Sequence, residues 1–484
     1  MNNVFTKILF LILLPITLTI SQQSRLNALG GLSYSIIDSD SKFDPYILGN
    51  NPAWLVNSQL SQKLEISPSY DNTFGDYHRY YDSDNIHNFN VGFVGIKPLG
   101  NSGTFKGSAF YDYQLQKNRN RTLTLDTYSG SAFFFVDTTA GDFRYNGPTF
   151  EFMHSLKLYK NLYFGASVRY KILDGLKKTF SYAQSLYRNV SGNIGLAYAL
   201  NEKLTLGFHY SLFDAQERIE AKDINLLTVK AFMYRGETYR VDKSGTSPDY
   251  KLKKGGQSFN FQIYSQHLNN FDIGFTLKYF LHNSKVILRD KSLLYEDGYS
   301  SYNNIDINLR TRWVPNKLYT LGFTSGYFKN ASWSKNSRRN LLLWEWNISD
   351  KFIGIGGTTK LLNNKLLLGA EYELHSINAD SSKYIDNKSS NKNGLSSIIR
   401  VGSEYYLSEI ITLHFGYNLI LQKYDFIYGG NNFVGHKLTA GLKYIVSNQL
   451  EIDSMFQYQN IKASEGLKYK NNVGMFVVLR FFTF

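Results

Sequence analysis

Residues 190–212 read VSGNIGLAYALNEKLTLGFHYSL, and their alternation decides the fold. Val190, Gly192, Ile194, Leu196, Tyr198 and Leu200 fall on one phase; after a short break at Asn201, Glu202 and Lys203, the phase resumes with Leu204, Leu206, Phe208, Tyr210 and Leu212. The intervening Asn193, Gly195, Ala197, Thr205, Gly207, His209 and Ser211 are small or polar. A period of two puts these sets on opposite faces of a strand, so one face can meet lipid and the other a polar lumen. Each run is about as long as a tilted strand needs to cross a bilayer, roughly 9–11 residues.

The same pattern recurs along the chain. Candidate strands cover 60–70, 88–97, 104–115, 150–158, 162–171, 190–200, 204–212, 259–268, 271–281, 305–313, 318–327, a region within 341–359, 366–374, 398–405, 411–419, 438–446, 450–458 and 473–484, which makes eighteen. Two are irregular: the first holds Pro68, and Gly354, Gly356 and Gly357 suggest a bulge or bend in the twelfth. Tight joins at 98–103, 159–161, 201–203, 269–270, 314–317, 361–365, 407–410 and 447–449 all fall between an even strand and the next odd one. Long connections such as 116–149 and 213–258 fall only between odd and even. Short periplasmic turns and long external loops give this rhythm. It places Phe484 at the periplasmic side, where a terminal aromatic resembles the closing signal of outer-membrane barrels.

Lys7 followed by the apolar run Ile8 to Leu14, with Thr19 and Ser21 beyond it, reads as a signal peptide over residues 1–21. No later stretch approaches a helical span, so a membrane location requires strands. Mean hydropathy of -0.30 says little about a barrel, whereas 37 Tyr and 35 Phe would supply aromatic girdles. There is no cysteine, which excludes disulfides and thiolate chemistry. The formal charge of +14 points to anionic partners. For an exported chain without nucleic-acid motifs these are lipid and lipopolysaccharide phosphates, not nucleic acid.

Residues 22–59 precede the first strand and are too short for the plug of a TonB-dependent receptor. They contain Ala28-Leu29-Gly30-Gly31 and Asn51-Pro52-Ala53-Trp54-Leu55. These elements resemble the opening of FadL-like and PorV-like outer-membrane barrels. The resemblance implies an N-terminal hatch, with Gly30, Gly31, Asn51, Pro52 and Ala53 as its marks, and a usual strand number of fourteen. The layout from Asp137 to Tyr210 also resembles Bacteroidota barrels of this length and implies no activity. The expected organisation is therefore a signal peptide at 1–21, a hatch segment at 22–59 and, at 60–484, a transmembrane antiparallel up-and-down β-barrel of about 14–18 strands.

Site chemistry is sparse. No Walker loop, His-Glu-x-x-His or Gly-x-Ser-x-Gly is present, so neither an enzyme nor a cofactor is expected. His209 with Ser211 and His282 with Ser284 share strand faces but lack an assignable carboxylate. Asp40, Asp44 and Asn51 do not have calcium-loop spacing. The inward phase carries basic Lys106, Arg169, Lys171, Lys278, Arg310, Arg312, Arg400, Lys437 and Lys443. Against them stand acidic Asp112, Asp272, Asp306, Glu371, Glu373, Glu404, Glu451 and Asp453. Near balance predicts pairing within the wall and no strong ion selectivity. Candidate lumen-lining residues are Arg169, Lys171, Asp306, Arg310, Arg312, Glu371, Glu373, Arg400 and Glu404; Leu206, Phe208, Leu277, Leu413 and Phe415 are expected to face lipid. The expected function is a bacterial outer-membrane channel or transporter for small molecules, hydrophobic ones if the FadL-like resemblance holds. Its alternative is a non-transporting component of an envelope secretion machinery. Partners would be outer-membrane lipid, the barrel-assembly machinery and either a small hydrophobic ligand or a secretion partner.

Overall fold

A computed structural model describes residues 50–57, 62–127, 133–136, 139–178, 182–220, 230–233, 239–242, 249–268, 270–290, 293–384, 387–426, 430–466 and 468–482. The expected signal peptide, Gly30, Gly31, Asp40, Asp44 and Phe484 lie outside the described residues. The strands are β1 (Lys63–Gly75), β2 (Asn85–Pro98), β3 (Thr104–Arg119), β4 (Phe135–Val136), β5 (Gly141–Tyr159), β6 (Leu162–Lys177), β7 (Gln184–Ala199) and β8 (Leu204–Glu220). Next come β9 (Lys230–Met233), β10 (Tyr239–Asp242), β11 (Asp249–Leu268), β12 (Phe271–Asp290), β13 (Leu293–Trp313), β14 (Tyr319–Asn336) and β15 (Leu341–Leu361). The last six are β16 (Leu366–Lys383), β17 (Lys388–Tyr406), β18 (Ile411–Lys423), β19 (Phe433–Ser447), β20 (Leu450–Ala463) and β21 (Tyr469–Phe481).

Eighteen of these form one sheet, each antiparallel to its neighbours, and β1 pairs with both β2 and β21, so the sheet closes into a barrel. Closure leaves no unpaired edge, the condition for a strand protein to sit in lipid. The remaining three, β4, β9 and β10, make a small sheet joining the connections after β3 and after β8. The strand number is eighteen, above the fourteen that the FadL-like resemblance implies.

Alternation sets the two faces. Phe208 and Phe415 are 45% and 50% exposed on the outside, while their neighbours His209 and His414, at 6% and 2%, point inward. Leu277 is exposed on the same outer phase, and Leu206 and Leu413 are partly exposed there. Aromatics border the outer band. Phe271 stacks on Trp313 at 5.6 Å beside a short turn, and Tyr70, Phe89 and Tyr113 pack at 4.7 and 5.9 Å toward the other end. Amphipathic rings favour that boundary.

Strands extend well past this band toward the long loops. β13 and β15 have 21 residues each. On β8 the outer phase passes from Leu212 to Asp214, Gln216, Arg218 and Glu220, and on β16 from Leu374 to Ser376, Asn378, Asp380 and Ser382. The extensions are held by ladder hydrogen bonds while their outer residues meet water. They fall where the sequence reads as loops.

Two expected irregularities resolve differently. Pairing of β15 runs unbroken on both sides through Gly354, Gly356 and Gly357, and the irregularity of its pairing with β14 lies between Ser334 and Lys335. The glycines make room: a Cβ at Gly356 would press on Glu371, and one at Gly354 on Thr324 at 2.6 Å. Pro68 sits at the closing seam, where the β1 to β21 pairing skips Ser67 and Pro68. A residue without an N–H cannot complete that ladder.

Candidate functional site

Both ends of the lumen hold packed, non-wall elements. At the short-turn end, Asn51 starts a short 3-10 helix, Pro52–Asn57. Asn51 Oδ1 accepts the Ala53 N–H at 3.0 Å, and Pro52 occupies the first turn position, where its missing N–H costs nothing. The Asn51 amide donates to the carbonyls of Leu196 on β7 and Phe208 on β8, at 3.2 and 3.3 Å. Trp54 Nε1 donates to Gln262 Oε1 at 2.8 Å, with its ring edge-on to Tyr264. Ser155 of β5 donates to the Ala53 carbonyl at 3.0 Å.

The wall is recessed to take this turn. Asn51, Ala53, Trp54 and Leu55 are all buried. A Cβ at Gly165 would overlap the backbone of Pro52 and Ala53, and one at Gly195 would overlap Asn51. Asn51, Pro52 and Ala53 of the resemblance thus seat against the inner wall. Asn51 spends its amide on wall carbonyls, as a lumen-paired polar residue and not as a cation ligand.

At the long-loop end, the connection after β3 folds into the mouth. Leu123, Phe133 and Phe135 bury against Phe143, Tyr145, Ile219, Tyr250, Val286, Leu288 and Trp344 from the inner wall. Phe135 stacks on Tyr250 at 4.6 Å, and Phe133 fills the place a side chain at Gly298 would take. Tyr81, in the loop after β1, packs edge-on to Phe134 at 4.9 Å, and burial raises the pKa of its hydroxyl. Two buried polar residues fasten this cap. Arg119 donates to Tyr145 Oη at 2.7 Å and to the carbonyls of Thr124 and Leu125. Glu217 accepts from the Leu125 N–H at 2.7 Å and from Ser185 Oγ at 2.6 Å. Beside them lies a cavity of about 80 Å³ lined by Leu125, Asp126, Tyr187, Glu217, Leu252 and Lys254.

Arg119→Ala is expected to free the cap without opening the wall, because it removes charge-assisted bonds worth about 1.5–3 kcal/mol each. Protease added outside intact cells should then cut within 120–136 while the barrel keeps its heat-modifiable mobility on gels; continued resistance would refute the fastening role.

Between the ends, the predicted lumen residues lie on the inner phase, and most are paired. Lys171 meets Asp112 at 3.0 Å, and Arg312 meets Asp272 through two nitrogens. Asp306 accepts from Asn308 at 2.5 Å, and Glu404 lies 3.3 Å from His414. Glu371, Glu373 and Arg400 come together, with Arg400 at 3.5 and 2.8 Å from the two carboxylates. Arg169 is exposed to the lumen, and Arg310, across the β13 to β14 ladder from Thr324, is near enough to Asp306 and Glu373 to interact with both carboxylates.

Register adds partners that sequence reasoning missed. His375 lies 2.9 Å from Asp350 and 2.5 Å from Glu373. Near the seam, Arg480 bridges Glu65, Glu451 and Asp453 at 3.0, 2.5 and 3.1 Å. His282 is stacked flat on Tyr302 at 4.0 Å, a packing role. No group of three or more His, Asp or Glu among the described residues is placed to hold a metal ion.

A family model described as a family of unknown function, DUF6850, matches residues 52–481. No curated protein sequence matches the chain. Among solved structures, the chain is similar to the copper transporter OprC at 6% identity, covering 84% of this chain and 65% of that one, with a TM-score of 0.49. The toluene transporter TbuX of Ralstonia pickettii is similar at 12% identity, with 94% and 96% of the two chains covered and a TM-score of 0.33. A Pseudomonas aeruginosa FadL homologue gives 10% identity, 91% and 94% coverage and a TM-score of 0.35.

Proposed function

The chain belongs to the DUF6850 family, and we propose that it is an outer-membrane β-barrel that passes small solutes through a lumen closed at rest. The observation that carries this reading is the glycine-lined recess under Asn51 to Leu55. A wall that only needed to be stable would fill its inner face with side chains. Here Gly165 and Gly195 leave room for a segment held by a few hydrogen bonds and one indole, a seat that can be vacated. In this reading residues 22–59 form a hatch at the periplasmic mouth, and the aromatic cap after β3 covers the external one. A small amphipathic or hydrophobic solute is supported by the cavity beside the cap, where Leu125, Tyr187 and Leu252 adjoin Glu217 and Lys254.

The pairing of lumen charges within the wall favours a second reading, a sealed barrel serving an envelope secretion machinery. Planar-bilayer conductance separates the two. The mature chain should conduct rarely, and deletion of residues 29–53 should raise conductance by about tenfold while the barrel stays folded, as expected when a plug leaves a water-filled lumen. Unchanged conductance in a folded deletion variant would discard the transport reading in favour of the sealed one.

A further inference from the structure

On the outer wall, past the apolar band, basic residues line up across strands. Arg188 on β7 is opposite Gln216 on β8, Gln216 is opposite Lys253 on β11, and Lys253 is opposite Lys285 on β12. One row further out, Arg218 faces Lys251 directly. Continuing round the wall, Lys285 is opposite Tyr299, which is opposite Lys335. Like charges placed directly across a ladder are destabilising unless something neutralises them. Here Lys253 faces Lys285 and Arg218 faces Lys251.

The protein neutralises the group only in part. Arg218 reaches Glu220 at 2.5 Å, Lys285 reaches Glu296 at 3.0 Å, and Lys335 donates to Asn340. Asp174 lies beside Leu186 at the edge of the group, and Asp214 lies one row nearer the band. No carboxylate among the described residues forms an ion pair with Arg188, Lys251 or Lys253. Four strands further round, the corresponding outer positions of β16 and β17 are Asn378, Asp380 and Ser382 with Asn393, Asn391 and Ser389 across from them. The five cations Arg188, Arg218, Lys251, Lys253 and Lys285 thus stand together on four adjacent strands, β7, β8, β11 and β12.

Their height is informative. Lys285 lies four residues beyond Leu281, where the continuous apolar run of outer residues on β12 ends, and Gln216 lies four beyond Leu212, the last apolar outer residue of β8. Four residues are about 13 Å along a strand, or about 10 Å along the membrane normal at the usual tilt. That is where the phosphates of an outer-leaflet glycolipid lie. Fixed Arg and Lys groups spaced along a row suit several phosphates on one headgroup.

We propose that Arg188, Arg218, Lys251, Lys253 and Lys285 form a binding site for the phosphorylated headgroup of a lipopolysaccharide molecule whose acyl chains lie on the outer wall below. The proposal rests on the outer-membrane reading but not on transport. Lipid retention is read on the outer wall and conductance in the lumen, so the two fail separately. The test offers the purified mature protein in detergent three probes, namely bisphosphorylated lipid A, the same lipid after enzymatic dephosphorylation, and inorganic phosphate, with bound species read by native mass spectrometry. The bisphosphorylated lipid should be retained about tenfold better than the dephosphorylated one, in a salt-sensitive manner. The Lys251→Gln, Lys253→Gln, Lys285→Gln variant should lose that preference. Equal retention of both lipids by the unaltered protein would overturn the site, and this arm holds even if the variant fails to fold. Displacement of the lipid by an equal concentration of inorganic phosphate would overturn the lipid as its occupant.

Discussion

Phe415→Arg should destabilise the barrel by about 2–4 kcal/mol, the cost of placing that cation on the lipid face near the bilayer midplane. Phe415 is the third outward residue of β18, between Ile411 at one turn and Leu421 toward the other end. Leu413 is nearer the rim, so Arg there should cost less, because the penalty falls to about 0–1 kcal/mol at the interface. Arg at His414, one residue from both, points into the lumen toward Glu404, which lies 3.3 Å from the present imidazole. It should therefore be the better tolerated neighbour. Urea unfolding in lipid vesicles measures all three. Equal losses at positions 414 and 415 would contradict the inside and outside phases assigned to β18.

The second large effect is expected at Gly165. A valine there would push into the backbone of Pro52 and Ala53, which cannot move aside as a side-chain tip could. The wall itself keeps its pairing, since the backbone at this position stays in ladder register with Ser155 on one side and Gly195 on the other. Gly165→Val should unseat the Asn51 to Leu55 turn and raise bilayer conductance by about tenfold, toward that of an unplugged lumen. Gly95 offers a control, because a Cβ at that position meets nothing within 4 Å. If Gly165→Val and Gly95→Val conduct alike, the recess has no part in closing the channel.

The lipid-crossing half of every strand is legible in the sequence because lipid enforces a period of two on its outer residues, as along Leu204 to Leu212. Beyond Leu212 the outer residues Asp214, Gln216 and Arg218 meet water and the period vanishes, although the ladder continues to Glu220. Arg119 and Glu217 were hidden for that reason, lying in stretches that read as loops. The cap was hidden because Phe133, Phe134 and Phe135 run together without any period. Alternation also assigned the lumen charges to the inner phase without naming their partners. Asp350 and His375 meet only because the turn 362–365 sets the register of β15 and β16, a quantity that side-chain pattern does not encode. Gly354, Gly356 and Gly357 misled for a related reason, since glycine in a strand signals a bend only when no neighbour needs its space.

Arg480 lies more than four hundred positions from Glu65 on the first strand, and it bridges that carboxylate to Glu451 and Asp453 on the last hairpin. Arg480 meets Glu451 and Asp453 as soon as β20 and β21 pair, but it reaches Glu65 only after β21 has met β1. Until then Glu65 and the hairpin carboxylates have no reason to share one small volume. The Arg480 to Glu65 bridge therefore acts as a topological latch: it adds nothing to a growing, open sheet and engages as the ring shuts. Opening the finished ring at this seam must break the cluster and the ladder together, while the discontinuity at Ser67 and Pro68 gives the seam its one weak rung. Order of assembly is thus written into the wall, with a late and mutually reinforcing step where the two ends of the sheet meet.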